Sequence, residues 1–158
     1  MKYKNYFIFS SLFLSTSIFA FDMNSKAPVD LDQNDVILHG YDVMNYSQEK
    51  SPALGRTDYT SIYNGAIYYF SNSGNRDVFI KAPGRYAPAF GAFCSWAAAH
   101  GQKVDGDPEA YRVKNNQLYV FFDEGAAKLW DEDPDKYIAL ASSYWPKIKM
   151  KTPKELSR

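Results

Sequence analysis

The sequence predicts a single small α+β domain made of two β-hairpins covered by short helices. Three observations carry that prediction. β-rich runs flank Asn64-Gly65, a second pair of such runs flanks Lys114-Asn-Asn-Gln117, and near the C-terminal end Tyr137, Leu140, Ala141, Tyr144 and Trp145 recur at helical spacing.

In chain order, residues 1–20 predict an export signal. Lys2 and Lys4 form a positive n-region, Phe7 to Phe19 an apolar h-region, and Ala20 is a small residue at the expected cut, although Ile18 before it is bulky. An uncleaved N-terminal anchor is the alternative, but the run is shorter than the ~20 apolar residues of a spanning helix. No cysteine follows it to carry a lipid, and no other stretch is apolar enough to cross a bilayer. A periplasmic or secreted protein, with no stable membrane insertion after cleavage, is the expectation.

Residues 21–35, with Pro28 and no periodicity, read as an extended lead-in. Val36-Ile-Leu-His39 is a short apolar run ended by Gly40, and Tyr41 to Tyr46 suits a helical turn with Asp42 near its start. The polar stretch Ser47 to Asp58, with Pro52 and Gly55, reads as a surface loop. Tyr59–Tyr63 and Ala66–Phe70 then form the first hairpin, because a type I′ turn needs positive φ at both central residues and Asn-Gly supplies it. A helix follows, capped by Ser71 or Asn72, apolar at Val78 and Phe79, and ended by Pro83-Gly84. Phe93 to His100 predicts a short helix with Gly101 as its C′ glycine. Asp107-Pro108, with Glu109, predicts the N-cap and first turn of another brief helix.

Tyr111–Val113 and Leu118–Phe122 form the second hairpin. Helices follow from about Glu124 to Asp131 and from Asp133-Pro134 onward, the latter burying one stripe and stopping at Pro146. From Lys147 the chain turns basic, and residues 149–158 are expected to fray as a tail.

Removing residues 1–20, which carry two lysines and no acid, leaves 16 basic against 18 acidic side chains of the original 18 and 18. A formal charge of −2 gives no electrostatic basis for a nucleic-acid partner. With one cysteine no internal disulfide is possible, so stability must come from packing, to which an aromatic content of 17% is suited.

Laid out in this way, the chain resembles the YHS domain family, in particular its small exported stand-alone members. The resemblance rests on Gly40-Tyr-Asp42 with Tyr46, on Tyr63-Asn-Gly65 with Tyr69 and Phe70, and on Asn75-Arg-Asp77 with Phe79. It continues through Pro83, Tyr86-Ala-Pro88, Gly91, Cys94, Asp107-Pro108, Leu118-Tyr119, Trp130 and Trp145-Pro146. It spans residues 36–148 and implies a relation to small treble-clef metal-binding modules. Many of those carry Phe-Cys-x-x-x-Cys after the second strand of the hairpin. The matching positions here are Ser71 and Asn75, so that soft-metal site does not carry over, whereas Cys94 stands where the exported members keep a cysteine.

Cys94 is therefore the central candidate: metal ligand, reactive thiol or buried core residue. A metal site would recruit His100 or His39, the only imidazoles. On a helix Cys94 and His100 would point about 120° apart and lie ~9 Å apart along the axis. On a strand they would be ~20 Å apart. Co-ligation thus needs irregular backbone. Thiol redox chemistry would need a base or resolving thiol from elsewhere in the fold, since nothing charged lies within five residues of Cys94. Asp105, Asp107 and Glu109 imitate a calcium loop, but Ala110 stands where its glycine belongs.

Tyr63, Tyr69, Tyr86 and Trp96 are the candidate ligand-facing aromatics, although Trp96, like Trp130 and Trp145, suits the core better. The expected function is a non-catalytic binding module for a transition metal such as copper, or for a small ligand, around the single thiol. The alternatives are a thiol-dependent redox enzyme and a protein-interaction module with a structural cysteine.

Overall fold

The computed structural model describes residues 21–48 and 50–157. The export signal expected over residues 1–20 lies outside the described residues. The fold is α+β, with two separate antiparallel two-stranded sheets and short helices packed around them.

After the lead-in, a 3-10 turn at Leu38–Gly40 delivers Asp42 as the N-cap of α1 (Val43–Ser47). The first hairpin pairs β1 (Arg56–Tyr63) with β2 (Ala66–Phe70). Asn64 and Gly65 turn it at φ 51° and 79°, the type I′ geometry their sequence requires. In β2 the alternation is strict, so Ala66, Tyr68 and Phe70 point inward. Asn72 then caps α2 (Ser73–Lys81) by accepting from the Asn75 amide at 2.9 Å. Pro83 stops α2 and also occupies the first turn of a further short helix, α3 (Pro83–Tyr86). Cys94 stands at the N-cap of α4 (Ser95–Ala99), and Gly101 follows it at φ 75°.

The brief helix expected at Asp107-Pro108 is instead the start of a strand. β3 (Asp107–Lys114) pairs with β4 (Gln117–Phe121) around Asn115-Asn116, both of positive φ. Asp107 does accept from the Glu109 amide at 2.8 Å, as a cap would. The register, however, slips between Asp107 and Tyr111, so Pro108, which has no N–H to donate, falls in the irregular part of the ladder. Its carbonyl accepts the buried Tyr46 hydroxyl at 2.8 Å, a tertiary bond that holds the strand on α1.

α5 (Glu124–Asp131) has the expected bounds, capped by Asp123. α6 (Pro134–Ile148) runs through Pro146 rather than stopping there. The proline has no N–H for the carbonyl of Ser142, an exposed residue that water can reach, while Ile148 beyond it is buried. The stripe of α6 is narrower than expected: Ala141 is fully buried against Ala98 and Ala99, whereas Tyr144 is exposed.

The tail is not frayed. Thr152 and Glu155 form a reciprocal capping box on α7 (Pro153–Leu156), Pro153 is buried, and the Lys154 amide donates to Met23 O at 3.0 Å. What fixes it is Lys103, 2% exposed, whose Nζ donates to the carbonyls of Ala27, Lys149 and Lys151 at 2.7, 3.2 and 3.0 Å. One ammonium, with three protons to give, joins lead-in and tail.

One core cluster lies beneath the first hairpin around Tyr46, Phe70, Phe79 and Val120, and a second lies between β4 and α5 around Cys94, Phe121 and Trp130. Among the described residues no helix is long and apolar enough to cross a membrane.

Candidate functional site

Cys94 is 1% exposed and packs among Ala97, Ala110, Phe121, Ala127 and Trp130. Burial pushes its thiol pKa up, and the nearby amides of Ala97, Phe122 and Trp96, which favour the thiolate, do not offset it. That is the opposite of an activated sulfur, which needs a depressed pKa and access.

The imidazoles are engaged in other interactions. His39 sits in the left-handed turn at φ 49° and its Nε2 donates to Asp105 Oδ1 at 3.2 Å. His100 stands at the C-cap of α4, the opposite end from Cys94, and its Nδ1 donates to the Trp96 carbonyl at 2.7 Å. Among the described residues no group of three or more His, Cys, Asp or Glu is placed to hold a metal ion.

The four candidate aromatics fall in different places. Trp96 packs against His100 with ring centroids 4.2 Å apart and the rings tilted, its Nε1 buried without a hydrogen-bond partner among the described residues. Tyr69 covers Gly40, where a Cβ would come within 3.3 Å of its ring. Tyr86 lies in a groove of about 260 Å³ with Tyr46, Val78, Arg85 and Val113. That groove continues into a wider hollow of about 770 Å³ past Glu109 and Arg112. The charged groups of the hollow are already paired: Arg112 holds Glu124 at 2.8 Å and Asp131 at 2.7 Å, and the Tyr41 hydroxyl donates to Glu109 at 2.8 Å.

Tyr63 opens onto a separate cleft of about 480 Å³, lined with Tyr68, Phe90 and Trp145 and floored by Pro28 and Pro88. These residues come from the lead-in, the first hairpin, the loop before α4 and the last long helix. The loop wall has unusual backbone: Phe90, Gly91 and Ala92 are consecutively left-handed at φ 51°, 64° and 68°. For Phe and Ala this costs about 1 kcal/mol or more each, and such strain persists only where the surroundings enforce it. The enforcement is visible. Phe90 and Phe93 each lie 5.9 Å from Trp145, ring to ring, and the Asp30 amide donates to Gly91 O at 2.8 Å.

Sequence reasoning singled out Tyr63 but missed Tyr68 and Phe90, and assigned Trp145 to the core. The signal available was Phe90-Gly91, an aromatic beside the glycine that a tight loop needs. The chain matches no family model, no curated protein and no solved structure with which it was compared.

Proposed function

We propose that this is an exported, non-catalytic binding module of the YHS type that takes a small ligand in the aromatic cleft, with Cys94 as a core residue and not the binding centre. The carrying observation is the convergence of Tyr63, Tyr68, Phe90 and Trp145, from segments far apart in sequence, on one hollow whose wall is held in strained backbone. A cleft of a few hundred Å³ with aromatic walls is a usual form of a small-molecule site. Six of the residues that carry the resemblance, Tyr63, Asn64, Ala87, Pro88, Gly91 and Trp145, line this cleft, which supports reading it as the family's working surface. The sealed thiol argues against the redox enzyme and against a thiol-centred metal site.

The reading is tested by titrating the protein with small aromatic probes while following the Trp145 indole N–H by NMR. Shifts confined to Trp145, Phe90 and Tyr63 are expected, with those of Phe90 and Tyr63 weakened in Trp145→Phe. Shifts clustered around Tyr86 and Arg112, or around Cys94, would move the site elsewhere.

A further inference from the structure

The charge around the cleft narrows what it can hold. Among the described residues no Asp or Glu lines it, and the one charged residue that does is Lys149. Lys149 follows Trp145 by four residues, so on a continuing helix the two side chains share a face. Its backbone is fixed at both ends: its amide donates to Trp145 O at 3.0 Å, and its carbonyl accepts from Lys103 Nζ at 3.2 Å. Its amine makes no ion pair among the described residues. Nearby Lys147, by contrast, lies over the Tyr144 ring at 5.8 Å, and Arg112 in the wider hollow is taken up by two carboxylates. Asn64, exposed at the tip of the hairpin turn, also lines the cleft.

Resting on the binding reading above, we propose that the ligand is an aryl carboxylate: a planar aromatic body against Tyr63, Phe90 and Trp145, with its anionic group at Lys149. A cationic aromatic would face an unopposed ammonium. A neutral one would fill the walls but leave the charge unused. The volume of about 480 Å³ is in the range that holds a one- or two-ring molecule. An ammonium at a solvated rim is worth roughly 1 kcal/mol to a carboxylate, about fivefold in affinity.

Three isosteric probes test this on the whole chain: 2-naphthoate, 2-naphthamide and 2-naphthylmethylamine, titrated against the Trp145 indole signal. The naphthoate is expected to bind about fivefold more tightly than the amide, with the amine weakest. In Lys149→Gln, whose backbone contacts are unchanged, the naphthoate should fall to the level of the amide. Equal binding of naphthoate and naphthamide to the wild-type protein would overturn the ligand class while leaving the cleft as a binding site. So would a naphthoate preference that survives in Lys149→Gln. If none of the three perturbs Trp145, both this inference and the binding reading beneath it fall. The comparison of acid with amide in the wild-type chain needs no variant to fold.

Discussion

Asn75 donates through Nδ2 to Asp42 Oδ2 at 2.6 Å, in the interior beneath the first hairpin. The same carboxylate, fully buried, also accepts the Ser71 amide and hydroxyl, each at 2.7 Å, while its other oxygen caps α1 through the Met44 amide at 2.9 Å. That one carboxylate therefore ties β2 and α2 to α1.

Removing that acceptor strands several buried donors at once. Asp42→Ala is expected to lose about 3 kcal/mol or more, and Asp42→Asn less, because an amide oxygen still accepts. Urea unfolding measures both. A double-mutant cycle with Asn75→Ala should show coupling of at least about 1 kcal/mol, and additive losses would mean the contact is incidental.

A buried thiol with a raised pKa should be silent. Cys94 is expected to resist alkylation in the native protein from pH 6 to 8 and to react stoichiometrically once unfolded, with thiol trapping as the readout. Because it occupies the N-cap of α4, beside the Ala97 amide, a serine hydroxyl can cap the helix in its place. Cys94→Ser should therefore cost no more than Cys94→Ala, which forgoes a cap worth about 1 kcal/mol. Rapid native alkylation would return the thiol enzyme to consideration.

How much of this was legible in the sequence follows from the range of each signal. Asn64-Gly65 and Asp133-Pro134 declare a turn and a helix start within a few residues, and both elements formed there. Asp107-Pro108 misled because an aspartate accepting the amide two residues on looks the same in sequence whether a helix or an irregular strand follows. The ordered tail was hidden because Lys103 reads as one more surface charge, and only folding reveals three carbonyls around it. The aromatic cleft was invisible for the same reason, since no local pattern brings Pro28, Tyr63, Phe90 and Trp145 together.

Burial pulls the Lys103 pKa down to about 8, opposed by the charge of Asp30. In the unfolded chain its amine titrates near 10.5. Between those values the unfolded state holds the proton that the folded state has released, so stability should rise with pH across about 8 to 10.5. Below 8 both states are protonated and this contribution is flat. Lys103→Met should abolish the slope. It should also leave the carbonyls of Ala27, Lys149 and Lys151 without their donor, so that protease cuts the tail faster than in the wild-type chain. Thermal melts across this pH range, with and without the substitution, give the first result, and limited proteolysis gives the second. An unchanged slope in Lys103→Met would assign the effect to other groups.

Gly91 and Gly65 separate two reasons for a glycine. Both have positive φ, 64° and 79°, so any side chain there carries the backbone cost of a left-handed residue, about 1 kcal/mol. A Cβ on Gly65 meets nothing within 4 Å, whereas one on Gly91 would overlap Pro28 O and sit 3.0 Å from Val29 Cα. That neighbour is backbone and cannot rotate away, so the lead-in itself must shift. Gly65→Ala is thus expected to cost about 1 kcal/mol and leave the cleft intact. Gly91→Ala should cost about 3 kcal/mol or more, expose the Asp30 amide that Gly91 O now accepts, and displace Pro28 from the cleft floor. Denaturant unfolding gives the energies, and hydrogen exchange at Asp30 together with naphthoate affinity reports the displacement. If Gly91→Ala behaves like Gly65→Ala on all three, the lead-in is not part of the cleft wall, and its strained loop must be held by Trp145 alone.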